Sequence, residues 1–235
     1  MHQRFEGIEV VAVDRVASPG MIVADLSKGA RPAGVSGRFD LIVAAHLLNE
    51  FTGLLGAARA DLVLAWMRDW LAPTGVMLLI EPALKETSRA LLAVRDHLTG
   101  AGAFVVAPCL WQGPCPALVS PHDWCHDSAA RPSQPRADFS YLAIQANGQA
   151  QTDPAHFRVV SDLKREKGRT RLFGCGLRGR NPMLLQNRDA TPSNKAFLSL
   201  DRGDLCRVVG LSQAGDGLRL SAETEVQVVV GGVHD

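Results

Sequence analysis

The chain has 235 residues, of which 46% are hydrophobic and 21% charged, and its formal net charge is +1. This length and composition predict a globular protein with one domain and a smaller appendage, and the near-zero net charge does not by itself indicate a nucleic acid or a membrane as partner. No apolar run approaches the roughly 18 residues that a membrane-spanning helix needs. Residues 1–6 also lack the apolar centre of a signal peptide. We therefore expect an intracellular protein with no membrane partner.

Short, continuous apolar runs are typical of strands in a parallel sheet that is covered on both faces. Such runs predict strands at residues 9–14, 21–25, 39–45, 76–80, 104–107 and 139–145. Alternation of these strands with helical patterns predicts an α/β doubly wound arrangement over residues 1–148.

Two helices are predicted between these strands. The first covers residues 54–72, where an apolar stripe recurs at helical spacing and Arg59 belongs to the polar face. The second covers residues 87–99, with Thr87 or Ser88 as its N-cap.

The pattern changes after residue 148, where short strand-like runs are separated by Gly, Asn and Asp. We predict a small β-rich C-terminal domain over residues 149–235. Its predicted strands are residues 169–173, 196–200, 205–209, 218–220 and 226–230.

Residues 108–138 interrupt the α/β pattern with six prolines, three cysteines, two tryptophans and two histidines. A loop of about 30 residues without regular structure is uncommon in a compact domain, so something must organise it. Because an intracellular protein uses cysteines for metal binding more often than for disulfides, we expect a metal to organise this loop.

Four cysteines are the candidate metal ligands. Five residues separate the first two, nine separate the next two, and the last follows fifty positions later; they are Cys109, Cys115, Cys125 and Cys175. Prolines beside the first two fix the path of the backbone, and glycines on both sides of Cys175 would let the backbone approach a cluster. Four thiolates suit zinc or a cubane iron–sulfur cluster. Structural zinc sites usually show paired spacings of two to four residues, so these longer spacings favour iron–sulfur.

Other interpretations of the cysteines and their neighbours stay open. Free cysteines are often ordinary buried residues, and Cys206, in a strand-like run, is predicted to be one of them. His122 and His126 flank Cys125 and are alternative ligands.

Polar residues end three of the predicted strands. Ligands of α/β sheets bind at the carboxyl ends of the strands, where Asp14, Asp25 and His46 lie. They are candidate cofactor-binding residues, although an acidic residue at such a position can also cap a turn. The glycine-rich turn that a cofactor domain needs after its first strand is not found upstream of residue 9.

Six segments together resemble a known family. They are residues 39–50, 78–82, 106–109, 113–116, 123–126 and 139–142. They are similar to the methyltransferase-like proteins of the mitochondrial small ribosomal subunit and their bacterial relatives, over about residues 9 to 209. The Pro-Cys, Pro-Cys-Pro and Asp-Trp-Cys-His motifs make the resemblance specific.

The resemblance implies a partial class I methyltransferase-like (Rossmann-like) α/β sheet with a Cys/Pro-rich metal loop and the small β-rich C-terminal domain. It also implies a 4Fe-4S cluster and a role in assembling or maturing the small ribosomal subunit in the bacterial cytoplasm. By motif order, Cys109, Cys115 and Cys125 match the first three cluster ligands and Cys175 the fourth. The family's glycine-rich loop and the helical region before it have no counterpart here. Three explanations stay open: a fragment, a product of a late start codon, or a subunit of a split protein whose missing N-terminal half is supplied in trans. We expect this chain alone to bind S-adenosylmethionine poorly.

Residues 164–180 form a basic segment with one acidic residue, Glu166. Its seven basic residues are Lys164, Arg165, Lys167, Arg169, Arg171, Arg178 and Arg180. Such a segment attracts a phosphate backbone without sequence selectivity, or it is simply a solvated hairpin face. In a ribosome-linked family we expect it to contact rRNA. No stacking platform of aromatic residues accompanies it, so base-specific recognition is not predicted.

Three functional hypotheses follow. The first is a ribosome-associated assembly or translation factor that binds rRNA and carries a structural iron–sulfur cluster. The second is an active S-adenosylmethionine-dependent rRNA methyltransferase, for which the sequence identifies no catalytic residue. The third is a non-catalytic scaffold domain stabilised by zinc. The missing glycine-rich loop favours the first hypothesis over the second.

Overall fold

The computed structural model describes residues 7–54, 56–131, 134–150 and 152–230. Two α-helices lie in these residues, α1 (Ala57–Trp70) and α2 (Lys85–Gly100). The strands in the first part of the chain are β1 (Ala12–Asp14), β2 (Met21–Val23), β3 (Phe39–Ala45), β4 (Leu71–Pro82), β5 (Phe104–Ala107), β6 (Asp127–Arg131) and β7 (Gln134–Gln145). Those in the second part are β8 (His156–Val159), β9 (Lys164–Glu166), β10 (Arg169–Gly176), β11 (Gly179–Gln186), β12 (Leu205–Val209), β13 (Ser212–Ala214), β14 (Gly217–Leu220) and β15 (Glu225–Val230). None of the helices in the described residues is long and apolar enough to span a membrane.

The first part of the chain forms a mixed sheet rather than a parallel one. Its strand order is β3-β4-β7-β5, with β6 paired to β7. Among the described strands of this sheet only β3 and β4 run parallel, whereas β7 runs antiparallel to β4, β5 and β6. β1 and β2 form a separate parallel pair. The chain is therefore a mixed α/β protein in which the predicted strands at residues 39–45 and 104–107 are confirmed with the same bounds.

Both helices pack on one face of this sheet. Trp66 of α1 and Leu98 of α2 share a buried cluster with Met77 and Leu79 of β4. Side chains alternate between the two faces of a strand, so Leu41 and Val43 of β3 point to the same face as each other. Leu41 is 55% exposed and Val43 is 43% exposed, so this face of β3 is open. The expectation that both faces are covered is therefore wrong for the described residues.

The helices begin and end close to the predicted bounds but differ in detail. The apolar stripe of α1 is buried as predicted. Arg59, predicted on the polar face, is instead buried, and its guanidinium donates a hydrogen bond to the carbonyl of Phe51. The N-cap of α2 is Leu84, so the prediction of Thr87 or Ser88 is wrong. The Thr87 hydroxyl lies inside the first turn and donates to the carbonyl of Leu84.

The second part of the chain is β-rich. Its sheet has the order β13-β14-β11-β10-β8-β12-β15, with β9 paired to β10. Cys206 is buried in its core as predicted, and burial raises the pKa of that thiol to about 12. The predicted strand at residues 196–200 is instead a short 3₁₀ helix, Lys195–Ser199, which starts where the Phe197 amide donates to the carbonyl of Asn194.

The proline-rich segment is more regular than its composition suggests. It contains a 3₁₀ turn at Pro116–Leu118 and then the β6–β7 hairpin, in which Asp127 pairs with Phe139. The expectation of an irregular loop over residues 108–138 therefore holds for its first part and is wrong for β6 and the start of β7.

We predict that Leu79→Ala lowers the free energy of unfolding by about 2–5 kcal/mol, because it empties a site in the covered face of the sheet. The matched control is Leu41→Ala on the opposite face, which we expect to change stability by no more than about 0.5 kcal/mol. Urea denaturation of both variants tests this. Equal losses would contradict our assignment of covered and open faces.

Candidate metal centre

The four candidate cysteines line one cavity. Cys109, Cys115 and Cys125 come from the segment between β5 and β6, and Cys175 comes from β10 in the other sheet. The cavity has a volume of about 50 Å³, against roughly 10–15 Å³ for one water molecule, so it has room for a group of several atoms. The structure thus brings together residues that lie up to 66 positions apart in the sequence.

Strand alternation directs Cys175 to this cavity. Along β10, Thr170 and Leu172 are buried on one face, while Arg171, Phe173 and Cys175 belong to the other. Gly174 and Gly176, the glycines on either side of Cys175, lie on the same buried face as Thr170 and Leu172. A Cβ on Gly176 would lie 2.6 Å from the carbonyl oxygen of His156, so glycine permits close packing against β8.

Two neighbouring residues of α2 hold the loop that carries Cys109 and Cys115. Arg95 is 1% exposed, donates to the carbonyls of Trp111 and Gly113, and pairs with Asp96 at 2.6 Å. Both carboxylate oxygens of Asp96 accept from the backbone N–H of Cys115 at 2.9 Å. Hydrogen bonds from α2 therefore fix the path of the loop.

Two further arginines bind other parts of the same loop. Arg89 of α2 donates to the carbonyls of Ala117, Ser120 and Asp123 at 2.6–3.1 Å. Arg158 of β8 donates to the carbonyls of Pro108 and Gly203. Sequence reasoning missed all of these residues, although three of them (Arg89, Arg95 and Asp96) are charged residues in a helix whose neighbouring loop is rich in proline and therefore poor in backbone donors.

The buried thiols are held in their protonated form. Burial raises the pKa of Cys109, Cys115 and Cys125, and it raises that of Cys175 to about 12. Mutual repulsion of the thiolates adds to this effect, whereas the Arg95 guanidinium opposes it at Cys109. A bound cation reverses such a preference, because metal ligation deprotonates thiols outright.

The cavity wall is largely apolar, and most of its few charged residues are cationic. Arg95, Arg158 and Arg180 line it together with one carboxylate, Asp127. The Nε of Arg95 is buried and has no hydrogen-bond partner among the described residues. A buried donor without a partner is costly, so this wall favours an occupant that carries negative charge.

The thiols are not arranged around a single point. Within the described residues, no group of three or more His, Cys, Asp or Glu side chains is placed to hold one metal ion. Of the two alternative ligands, His126 lines the cavity and stacks on Trp124, and burial lowers its pKa. His122 is exposed and is not part of the cavity wall.

The candidate cofactor-binding residues lie elsewhere. Asp14 and Asp25 accept hydrogen bonds from the backbone N–H groups of Val16 and Ser27, as turn-capping residues do. His46 follows β3 with a φ of +54°. None of the three lines the cysteine cavity.

A buried carboxylate fixes the segment after His46. Glu81 of β4 accepts from the backbone N–H of Leu48 at 2.9 Å and of Asn49 at 3.3 Å. Burial raises the pKa of Glu81, and these hydrogen bonds oppose the shift. From the sequence, Glu81 has no role beyond its place in the family-like segment 78–82, because nothing local shows that a residue at position 81 reaches position 48.

The basic segment forms β9, β10 and the start of β11, and its side chains have different surroundings. Arg169 and Arg171 pair with Glu166 at 2.7 and 2.6 Å. Arg180 instead pairs with Asp123 of the cysteine loop at 2.9 Å and lies over the ring of Phe173. Arg165 donates to the carbonyl of Leu198, and the remaining three basic residues, Lys164, Lys167 and Arg178, are exposed.

A family model described as the mitochondrial small ribosomal subunit protein Rsm22 matches residues 22–181. This chain belongs to the Rsm22 family. The match confirms the resemblance inferred from the sequence, and it spans all four cavity cysteines and the basic segment.

Comparisons beyond the Rsm22 family add little. No curated protein sequence matches the chain. Among solved structures, the crystal structure of the tetrameric p202 HIN2 matches with 15% identity and a TM-score of 0.26, over 34% of this chain. This chain spans 45% of the length of that one. At this level of similarity the match carries no argument about fold or function.

We predict that Arg95→Leu lowers the free energy of unfolding by about 3–5 kcal/mol, because it leaves the Asp96 carboxylate and two loop carbonyls without their buried partner. The matched control is Arg68→Leu, since Arg68 also pairs with the aspartate that follows it but is 75% exposed. We expect the control to cost about 0–1 kcal/mol. Urea denaturation measures both, and similar losses would show that Arg95 does not hold the loop.

Proposed function

We propose that this chain acts in assembly or maturation of the small ribosomal subunit. It would bind rRNA through the hairpin that its basic segment forms (residues 164–180, the basic hairpin) and would carry a structural iron–sulfur cluster on a methyltransferase-like scaffold. The observation that carries the proposal is the convergence of three cysteines from one loop and a fourth from β10 on one cavity, whose charged residues are mainly arginines. Membership of a small-subunit family supports the ribosomal part of the proposal.

We favour an iron–sulfur cluster over a zinc ion as the occupant of this cavity. Four thiolates on one zinc ion at about 2.3 Å would require all four sulfur atoms to surround a single point. The described residues offer no such point, whereas a 4Fe-4S cluster takes one thiolate at each of four separate iron atoms. Arg95, Arg158 and Arg180 would offset the negative charge of the thiolates.

An iron–sulfur cluster bound in this cavity would cross-link the two parts of the chain. Cys109, Cys115 and Cys125 would bind it from the loop, and Cys175 would bind it from β10. Arg180 and Asp123 already join the same two segments through their ion pair. A cluster would therefore set the position of the basic hairpin relative to the first sheet.

The basic hairpin is the part of the chain that we assign to rRNA. Its β9 and β10 strands place Lys164, Arg169 and Arg171 on one face, since Arg171 pairs with Lys164 and Arg169 with Glu166 across the ladder. Cys175 belongs to that same face of β10. In this proposal β10 contacts phosphates at its outer end and binds the cluster at its inner end.

We predict that protein purified without oxygen is coloured and contains iron and acid-labile sulfide, and that Cys175→Ser loses most of both because one of the four ligands is gone. Cys206→Ser is the matched control, since Cys206 is a buried cysteine of the same sheet that does not line the cavity. We expect it to retain wild-type iron. The measurements are visible absorption with iron, sulfide and zinc analysis.

Two outcomes would contradict this part of the proposal. One is a colourless wild-type protein that contains one zinc ion, and the other is an unchanged iron content in Cys175→Ser. The ribosomal part is tested separately by sedimentation with purified small ribosomal subunits, with which we expect the cluster-loaded chain to migrate.

A further inference from the structure

An open cleft lies at the outer tip of the basic hairpin. It is bounded by the turn between β9 and β10 and by the residues that follow β11, and its volume is about 730 Å³. Its lining residues are Glu166, Lys167, Gly168, Arg169, Gln186, Asn187 and Arg188. This volume lies within the roughly 300–1,000 Å³ of typical ligand sites.

The fold brings a cation from outside the basic segment into this cleft. Arg169 pairs with Gln186 across the β10–β11 ladder. The chain then turns so that the backbone N–H of Asn187 donates to the carbonyl of Gly168 at 2.9 Å. Gly168 has a φ of +79°, which a residue with a side chain rarely adopts, so the turn depends on glycine. Arg188 is thereby placed beside Lys167 and Arg169.

The cleft has more positive than negative charge, and part of the positive charge is available to a ligand. Lys167 makes no ion pair within the described part of the chain. The Nε of Arg188 lies 3.9 Å from the Asp189 carboxylate, and its side chain is 74% exposed. Among the described residues that line the cleft, Glu166 is the only acid, and it pairs with Arg169 and also with Arg171.

We propose that this cleft binds the phosphodiester backbone of RNA, and that Glu166 occupies the phosphate position in the free protein. A phosphodiester carries the same single negative charge as a carboxylate, so it can replace Glu166 as the partner of Arg169 without leaving the guanidinium unpaired. Lys167 and Arg188 then supply further contacts to the same or the next phosphate. The inference rests on the proposed rRNA binding and specifies which residues perform it.

Binding of a single-stranded RNA oligonucleotide to the full cluster-loaded chain, followed by fluorescence anisotropy over a range of salt concentrations, tests the cleft. Arg188→Gln is expected to weaken binding several-fold and to lower the slope of log affinity against log salt by about 0.7, the value for one lost phosphate contact on a single strand. The matched control is Arg68→Gln, because Arg68 has the same exposure and also pairs with the next residue. We expect the control to bind like the wild type.

The outcomes separate this inference from the function on which it rests. Wild-type protein that fails to bind RNA overturns both. Wild-type binding with Arg188→Gln and Arg68→Gln indistinguishable overturns the cleft and leaves the proposed function intact.

The role of Glu166 is tested by Glu166→Gln, which we expect to tighten RNA binding several-fold because the competing carboxylate is gone. The same substitution is then made in an Arg169→Gln background. If Glu166 competes for Arg169, its removal has a smaller effect there, and the double-mutant cycle gives a non-zero coupling. An equal gain in both backgrounds would show that Glu166 only lowers the general charge of the surface and would overturn its assigned role.

Discussion

A guanidinium removed from water must be neutralised and hydrogen-bonded, and the loop that carries three of the cysteines depends on this requirement at Arg95. Arg95 binds Trp111 and Gly113 through their carbonyls and Asp96 through its carboxylate. Asp96 in turn fixes the backbone of Cys115. The loop is rich in proline and offers few backbone donors of its own, so its carbonyls depend on donors from α2.

Arginines that need hydrogen-bond and ion-pair partners also connect the second sheet to the cysteine loop of the first part of the chain. Arg158 reaches from β8 to the carbonyl of Pro108, and Arg180 reaches from β11 to the carboxylate of Asp123. Both arginines line the cysteine cavity. A negatively charged cluster between the sheets would therefore strengthen a contact that is already made by cations, because its charge would be compensated from both sides.

The surroundings of the cations on the basic hairpin differ between the end near the cysteine cavity and the far end. Near Cys175, Arg180 is engaged by Asp123 and by the ring of Phe173. At the far end, Lys167 and Arg188 are exposed at an open cleft. The far end brings exposed cations of two segments to one cleft, and this tip of the hairpin, rather than the whole basic segment, is the part that we propose contacts RNA.

The sequence by itself determined the family, the α/β character, the cavity cysteines and the core position of Cys206, because these depend on motifs and on local apolar patterns. It could not show that one sheet face stays open at Leu41, that β7 runs antiparallel to its neighbours, or that Arg188 lines the same cleft as Lys167. These features arise from contacts between distant segments. Arg95 is the clearest case, since a charged residue in a helix is expected in solvent, and only the tertiary structure supplies the carbonyls and the carboxylate that make its burial possible.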